Sequence, residues 1–154
     1  MTAVGDAEGW RIRPFEMSDY DAVYALWLAG APGIEIRPSD GREEVARRCQ
    51  RDRELFLVAE GDGAIIGVVM GGWDGRRGWI HHLAVAPDFR GLGLGRSLVA
   101  AIEERLCEVG CLKVNLLVRR ENRAARQLYE HLGYREAPTL VAMGKELRAG
   151  QDRR

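Results

Sequence analysis

Apolar residues recur at every second position, or fill short runs, in six segments of the chain, and these patterns predict β-strands. The strands are expected at residues 10–15, 55–60, 64–70, 79–85, 112–118 and 141–147, the last being the weakest. Gly61, Asp62 and Gly63 separate the second strand from the third, a sequence typical of an antiparallel hairpin. We expect this hairpin to lie in the core of the sheet.

Helix signals occur in four other segments. The first helix follows a cap at Ser18 or Asp19, and the second, a polar helix ending near residue 53, opens with a capping box of Asp40 and Glu43. The remaining two repeat apolar residues at helical spacing and are expected at residues 94–110 and 124–132. The order of these elements predicts a mixed sheet with helices on its faces, an α/β fold.

The chain has 154 residues, 46% of them hydrophobic, which is enough to bury one core without disulfides or metal. We expect a single domain over residues 10–148, between a flexible lead at 1–9 and a polar tail at 149–154. Residues 30–41 are rich in turn formers, so they are expected to form a long loop beside a substrate site.

The charges balance, with 23 Lys and Arg against 23 Asp and Glu. No global field would therefore attract the protein to nucleic acid or to an anionic membrane, and neither is expected as a partner. Local arginine clusters remain suited to binding a small polyanion.

No run of apolar residues approaches the length of about 18 that spans a membrane, and the first residues lack a basic and apolar leader, so a cytoplasmic location is expected. Cys49, Cys107 and Cys111 are odd in number, which favours reduced thiols. They form no metal-ligand spacing with the histidines, so no metal site is expected.

The segment from Arg90 to Arg96 carries three alternating glycines, Gly91, Gly93 and Gly95, directly before a predicted helix. Backbone amides in such a loop converge at the positive end of the helix dipole and favour a phosphate. The spacing fits neither the dinucleotide fingerprint G-x-G-x-x-G nor the nucleotide loop that ends in G-K-[ST].

The pattern Arg90-x-x-Gly93-x-Gly95 resembles the acyl-coenzyme A pyrophosphate loop of the GNAT superfamily of N-acetyltransferases. The pattern Asn122-x-x-Ala125-x-x-Leu128-Tyr129 is similar to the second hallmark of that superfamily, in the expected order. The resemblance covers residues 10–147. Within it, residues 67–75 are similar to bacterial acetyltransferases of the YpeA type.

The resemblance implies a curved, mostly antiparallel sheet in which strand 79–85 splays away from strand 112–118 and binds the pantetheine of acetyl-CoA through its backbone. The amide of Leu83 would face the thioester oxygen as negative charge develops. The residues that the resemblance implies for cofactor binding are Leu83, Ala84, Val85, Arg90, Gly91, Leu92, Gly93, Leu94, Gly95, Arg96, Asn122 and Ala125.

Tyr129 matches the family tyrosine that protonates the departing thiolate, although its spacing also fits a core residue with its hydroxyl at the rim. The positions where members of the family carry a glutamate base are Trp79 and Leu117 here. His81 matches a histidine that relays the proton in arylalkylamine-type members. Strand alternation predicts that His81 and His82 point to opposite faces. His82 or water remains an alternative base.

The function implied by the resemblance is direct acetyl transfer to an amine of a small molecule or peptide, within a ternary complex. A non-catalytic module that senses acyl-CoA is the rival, because the family carboxylates are missing. The residues leave open which amine is used, whether acyl groups other than acetyl are transferred, and whether the chain forms a homodimer, the commonest soluble oligomer.

Overall fold

A computed structural model describes residues 9–148 of the chain, and in it five strands form one sheet in the order β1-β2-β3-β4-β5. The strands are β1 (Arg11–Pro14), β2 (Phe56–Gly61), β3 (Ala64–Trp73), β4 (Gly78–Val85) and β5 (Val114–Leu116). The helices are α1 (Tyr20–Ala29), α2 (Arg42–Arg51), α3 (Leu94–Glu108) and α4 (Arg123–His131). The predicted lead falls mainly, and the predicted tail wholly, outside the described residues.

Strands β1 to β4 are antiparallel, and β5 joins β4 in parallel, so the predicted mixed sheet is confirmed. The hairpin between β2 and β3 turns at Asp62 and Gly63, whose φ angles are 51° and 75°. Two successive positive φ angles match the right-handed twist of the paired strands, which explains the Asp-Gly sequence at this turn.

Helices cover both faces of the sheet. On one face Trp27 of α1 is fully buried and stacks against Phe56 of β2, with ring centroids 6.5 Å apart. On the other face Leu98 and Ile102 of α3 are fully buried against β3. Each helix therefore contributes one apolar stripe to a separate half of the core.

An irregularity in β4 separates its second half from β5. Val68 pairs with Ala84 and Met70 with His81, so β4 carries one more residue than β3 between these pairs. The bulge contains His82, which has a φ of 48°. Strand β5 pairs with β4 only as far as Ile80, opposite Leu116. The backbone from residue 81 to residue 85 is therefore unpaired on the side that faces β5.

Two strand predictions differ from the structure. Strand β5 has three residues instead of the expected seven, since it ends where β4 turns away. Residues 141–147 form no strand at all, and Val141, Met143 and Leu147 are exposed. That prediction was wrong because apolar residues supply strand propensity only, whereas a strand also needs a neighbour to pair with. Within the described residues no helix is long and apolar enough to cross a membrane.

Two acids expected to cap helices have other partners. Asp19 is 7% exposed and accepts two bonds of 2.8 Å from the Arg13 guanidinium. Its Oδ2 also accepts from the Glu16 amide at 2.9 Å. Asp40 accepts from the Arg37 amide at 2.9 Å and closes a turn before α2, whose cap is Gly41. Both acids therefore join a turn to the rest of the fold.

We predict that Asp19→Asn lowers the free energy of unfolding by about 2 kcal/mol, because the part-buried Arg13 guanidinium loses one of its two carboxylate partners and keeps only the half-exposed Glu60. The Arg13 guanidinium lowers the pKa of Asp19, so the wild type should keep its advantage at neutral pH. The advantage should vanish as the pH falls below about 4 and through the lowered pKa, which denaturant unfolding at several pH values would measure. Asp21→Asn, at an exposed ion pair with Arg42, should cost under about 0.5 kcal/mol. Equal losses in the two variants would contradict the prediction.

Candidate active site

The glycine loop opens α3 with unused backbone donors. Gly91 and Gly93 have φ angles of 78° and 89°, a left-handed backbone that other residues adopt only with strain. In the part of the chain that the structure describes, the amides of residues 91–96 donate to no backbone carbonyl. The first internal bond of the helix runs from the Ser97 amide to Gly93 O at 3.0 Å. Several amides are thus free at the positive end of a helix of 15 residues.

The two arginines beside the loop differ in their contacts. Arg90 donates from Nε to Val85 O at 3.1 Å and from Nη2 to Ala29 O at 3.4 Å. It therefore holds together the end of β4, the end of α1 and the loop. Arg96 is exposed and makes no ion pair with any described residue. Arg96 is the one whose guanidinium is available to a ligand.

The loop, the unpaired half of β4 and the helix α4 meet at one place. A Cβ built on Gly95 would lie 3.5 Å from Leu128 of α4, 3.9 Å from Val85 and 4.0 Å from Leu83. Ala84 points the other way and is buried in the core beneath α1. The fold therefore brings three of the segments singled out in the sequence around the gap between β4 and β5.

Asn122 links α4 to the long loop after α1. Its Oδ1 caps the helix by accepting from the Ala125 amide at 3.1 Å. Its Nδ2 would lie 2.6 Å from a Cβ at Gly33, so the loop at residues 30–41 rests directly on it. Glu35 of the same loop accepts from Arg119 at 2.9 Å and pairs with Arg37 at 3.1 Å. The observed role of Asn122 is to fix the start of α4 and this loop.

A groove of about 400 Å³ runs between α1 and the loop at residues 30–41. Its walls are mostly apolar, with Glu35 and Arg119 as its charged residues. The residues that line it are Trp27, Leu28, Ala31, Pro32, Ile34, Glu35, Ile36 and Arg119. The loop that was expected beside a substrate site thus forms one wall of a groove.

Tyr129 lies on α4 with 8% of its surface exposed. Its ring meets the Tyr134 ring edge-on, with centroids 5.4 Å apart. The hydroxyl makes no hydrogen bond with a described residue, and burial raises the pKa of Tyr129 to about 12. The phenol therefore stays protonated at every physiological pH.

The two histidines of β4 lie on the same face, which overturns the prediction of opposite faces. His82 Nε2 is 2.9 Å from Asp40 Oδ2, and its ring contacts the Trp27 ring edge-on at 5.3 Å. His81 stacks on Trp79 with centroids 6.4 Å apart. The strict alternation of a strand fails here because the bulge at His82 rotates one residue out of the pleat.

His81 is open to solvent on one side but lies against protein on the other. Loss of water around the ring, followed by the positive charge of Arg48, lowers the pKa of His81 to about 4. The imidazole is therefore neutral at pH 7 and carries an unprotonated nitrogen.

Sequence reasoning missed three residues near these histidines, namely Asp40 as the partner of His82, Trp27 as its aromatic contact, and Arg48. Arg48 follows the buried Val45 by three residues on α2, so helical spacing alone could have placed it on the inward face. The pairing of Asp40 with His82 joins residues 42 positions apart, and no local pattern signals such a contact.

Comparison with known proteins identifies the family. Residues 20–134 match the profile of the acetyltransferase (GNAT) family. An acetyltransferase of Yersinia enterocolitica is 42% identical over 142 residues, which cover 92% of this chain and 98% of the relative. The chain belongs to the GNAT acetyltransferase family. Acetyl transfer is accordingly its activity, as the resemblance implied, and the sensor alternative is disfavoured.

Solved structures agree with the fold of this acetyltransferase. The ribosomal-protein-S18-alanine N-acetyltransferase of Escherichia coli is 26% identical, with a TM-score of 0.70 over 83% of this chain and 79% of that one. The PaiA N-acetyltransferase of Thermoplasma acidophilum, solved in complex with coenzyme A, is 22% identical with a TM-score of 0.69 over 80% and 87%. The finer likeness to YpeA-type enzymes stays a prediction.

We predict that His81 of this acetyltransferase remains neutral from pH 8 down to about pH 5. The pKa of histidine in an unfolded chain is about 6.5, whereas the pKa of His81 in the folded protein is about 4. The unfolded state therefore binds more protons between these pH values, so the free energy of unfolding decreases as the pH falls through that range. NMR titration of the imidazole, assigned with a His81→Gln variant, would measure the midpoint. Arg48→Gln should move the midpoint upward, and a wild-type midpoint near 6.5 would contradict the prediction.

Proposed function

We propose that the enzyme transfers the acetyl group of acetyl-CoA directly to an amine of a small molecule or peptide, in the cytoplasm and without a metal. The observation that supports this most is the unpaired backbone of β4 at residues 81–85, between the glycine loop and α4. Exposed strand amides and carbonyls can bind an extended, amide-containing chain such as pantetheine in the manner of an added strand.

The glycine loop supplies the second half of the cofactor site. Free amides at residues 91–96 fit a diphosphate at the start of α3, and Arg96 can add a charge-assisted bond. Arg90 acts mainly by position, because its guanidinium already binds two carbonyls. Two sets of residues would bind the cofactor through their backbone groups. They are Leu83, Ala84 and Val85 on β4, and Gly91, Leu92, Gly93, Leu94 and Gly95 in the loop. Asn122 and Ala125 would act by fixing α4.

The proposed chemical step conserves protons and bonds. The amine nitrogen attacks the thioester carbon, the carbon–sulfur bond breaks, and the thiolate takes a proton while the new amide loses one. The Leu83 amide would donate to the carbonyl oxygen as negative charge develops. Tyr129 would share its proton with the departing sulfur. A phenol with a pKa of about 12 donates weakly to a thiolate of pKa about 8.5, so the sharing is partial and confined to the transition state.

His81 would relay the proton lost by the amine. With a pKa of about 4 it is unprotonated at pH 7, so it can accept the proton but holds it only briefly before passing it to water. His82 engages Asp40 through Nε2, so that nitrogen has a partner already. The acceptor would enter along the groove beside the loop at residues 30–41.

We expect Gly93→Ala to weaken coenzyme A binding about tenfold, because an alanine resists the left-handed backbone that aims the loop amides. Gly75→Ala is the matched control, since Gly75 has the same φ of 89°, equally open surroundings and a place in the turn between β3 and β4. Both variants should lose about 1 kcal/mol of stability, but only the first should lose affinity in calorimetry. Equal affinities in the two variants would remove the loop from the cofactor site.

Tyr129→Phe should lower kcat about a hundredfold and leave the affinity for coenzyme A unchanged, because only the proton donor is removed. Release of free thiol from acetyl-CoA in the presence of an amine panel would measure this. Tyr134→Phe removes a neighbouring hydroxyl bonded to Glu103 at 3.1 Å and should keep most of the activity. An unchanged kcat in Tyr129→Phe, with chemistry rate-limiting, would assign Tyr129 to core packing. Cofactor binding without amine-dependent thiol release would restore the sensor alternative.

A further inference from the structure

Helix α2 contains four arginines, and Arg48 differs from the other three. Arg42 pairs with Asp21 at 2.6 Å, and Arg47 pairs with Glu44 at 2.7 Å. Arg51 lies 3.7 Å from Asp52. Arg48 is half-buried and has no carboxylate within ion-pair distance among residues 9–148. The least hydrated cation of the helix is therefore the one without a direct ion pair, and Asp52 and Asp40 act on its charge only from a longer distance.

The hydrogen bonds of Arg48 are also incomplete. One Nη2 hydrogen is donated to the carbonyl of Gly71 on β3. The Nε–H is buried and has no acceptor among the described residues. Burial lowers the pKa of Arg48, which means that its surroundings disfavour the positive charge. A desolvated cation with a spare donor is costly unless an anion approaches it.

The surroundings of Arg48 place it beside the histidines of β4. A Cβ built on Gly72 would lie 3.7 Å from Arg48 Nη2 and 3.7 Å from His81 Nε2. The distance between these two nitrogens is therefore at most twice 3.7 Å. The same point is 3.7 Å from Trp79, whose ring stacks on His81 with planes inclined by 6°. Gly72 is only partly buried and has no side chain, so nothing from this position stands between the guanidinium, the imidazole and Trp79.

We propose that Arg48 binds a carboxylate on the acceptor, so that the substrates are amines that also carry a carboxylate, such as an amino acid or the acidic first residue of a peptide. The proposal rests on the proposed function, because it places the acceptor amine beside His81. The carboxylate would give Arg48 the direct ion pair that it lacks, the carbon chain would lie on Trp79, and the amine would reach toward the bulge. Planar guanidinium donors suit a carboxylate.

The simpler reading is that Arg48 only clamps the Gly71 carbonyl. A clamp uses one donor and has no need of a charge, and a neutral donor would avoid the cost of a desolvated cation. The two interpretations predict different substrate preferences. Only a ligand-binding Arg48 would make the enzyme prefer acceptors that carry a carboxylate.

Matched pairs of acceptors test the proposal in the intact enzyme. Glycine, β-alanine and 4-aminobutyrate are compared with their neutral amides by acetyl-CoA-dependent thiol release, which also reports the spacing between amine and anion. Peptides that begin with glutamate or glutamine distinguish a peptide source from a free amino acid. We expect at least one acid to exceed its amide at least about tenfold in kcat/KM, the scale of a charge-assisted hydrogen bond.

Variants assign this preference to Arg48. Arg48→Met should abolish it, lowering kcat/KM for the acid about tenfold while the amide changes little, and it should fold at least as stably as the wild type. Arg48→Lys should retain part of the preference. Arg47→Gln, which removes an exposed charge from the same helix, should retain all of it. An acid preference that survives Arg48→Met, or no preference in the wild type, would overturn the proposal.

A binding measurement separates this inference from the proposed function. With coenzyme A present, the acid but not its amide should shift the His81 imidazole resonance and raise the pKa of His81, because an anion beside Arg48 offsets its charge. Such selective binding without turnover would support the carboxylate site and overturn acetyl transfer to these amines. If both members of each pair bind equally, the carboxylate site is overturned, whatever the turnover.

Discussion

The change of partner along β4 is the constraint on which the active site depends. Its first residues pair with β5, and the bulge at His82 then turns the strand so that residues 81–85 have no neighbour on that side. A backbone without a neighbour is normally a liability in a sheet, because its polar groups need partners. Here the unpaired edge lies between the glycine loop and α4, so the irregularity that interrupts the sheet also leaves backbone groups open to a ligand in the proposed cofactor site.

Desolvation adjusts the two groups that flank this surface in a consistent way. It raises the pKa of Tyr129 and lowers the pKa of His81, and in both cases it favours the neutral form. A neutral phenol and a neutral imidazole are a donor and an acceptor at the same pH. In the proposed mechanism these two groups would move the protons, since Trp79 and Leu117 carry no carboxylate.

The parts of the fold that the sequence predicted are those governed by local rules. The turn at Asp62 and Gly63, the stripe of α3 and the glycine loop follow from residues a few positions apart. The orientation of His82 could not be predicted, because the bulge arises from register with β3. The partner of Asp40 and the missing ion-pair partner of Arg48 also depend on distant segments. The absent strand at 141–147 shows the converse, since its local pattern, the weakest of the six, did not produce pairing.

The two sides of the active site are held by bonds of different strength. Backbone carbonyls and buried side chains fix the glycine loop and β4, whereas the loop at residues 30–41 is tied to α4 partly through Glu35 and its half-exposed arginines. Exposed ion pairs contribute little and weaken as salt is added. Added salt is therefore expected to loosen the wall that this loop gives to the groove while β4 and the glycine loop keep their shape, so the two walls of the cleft differ in rigidity.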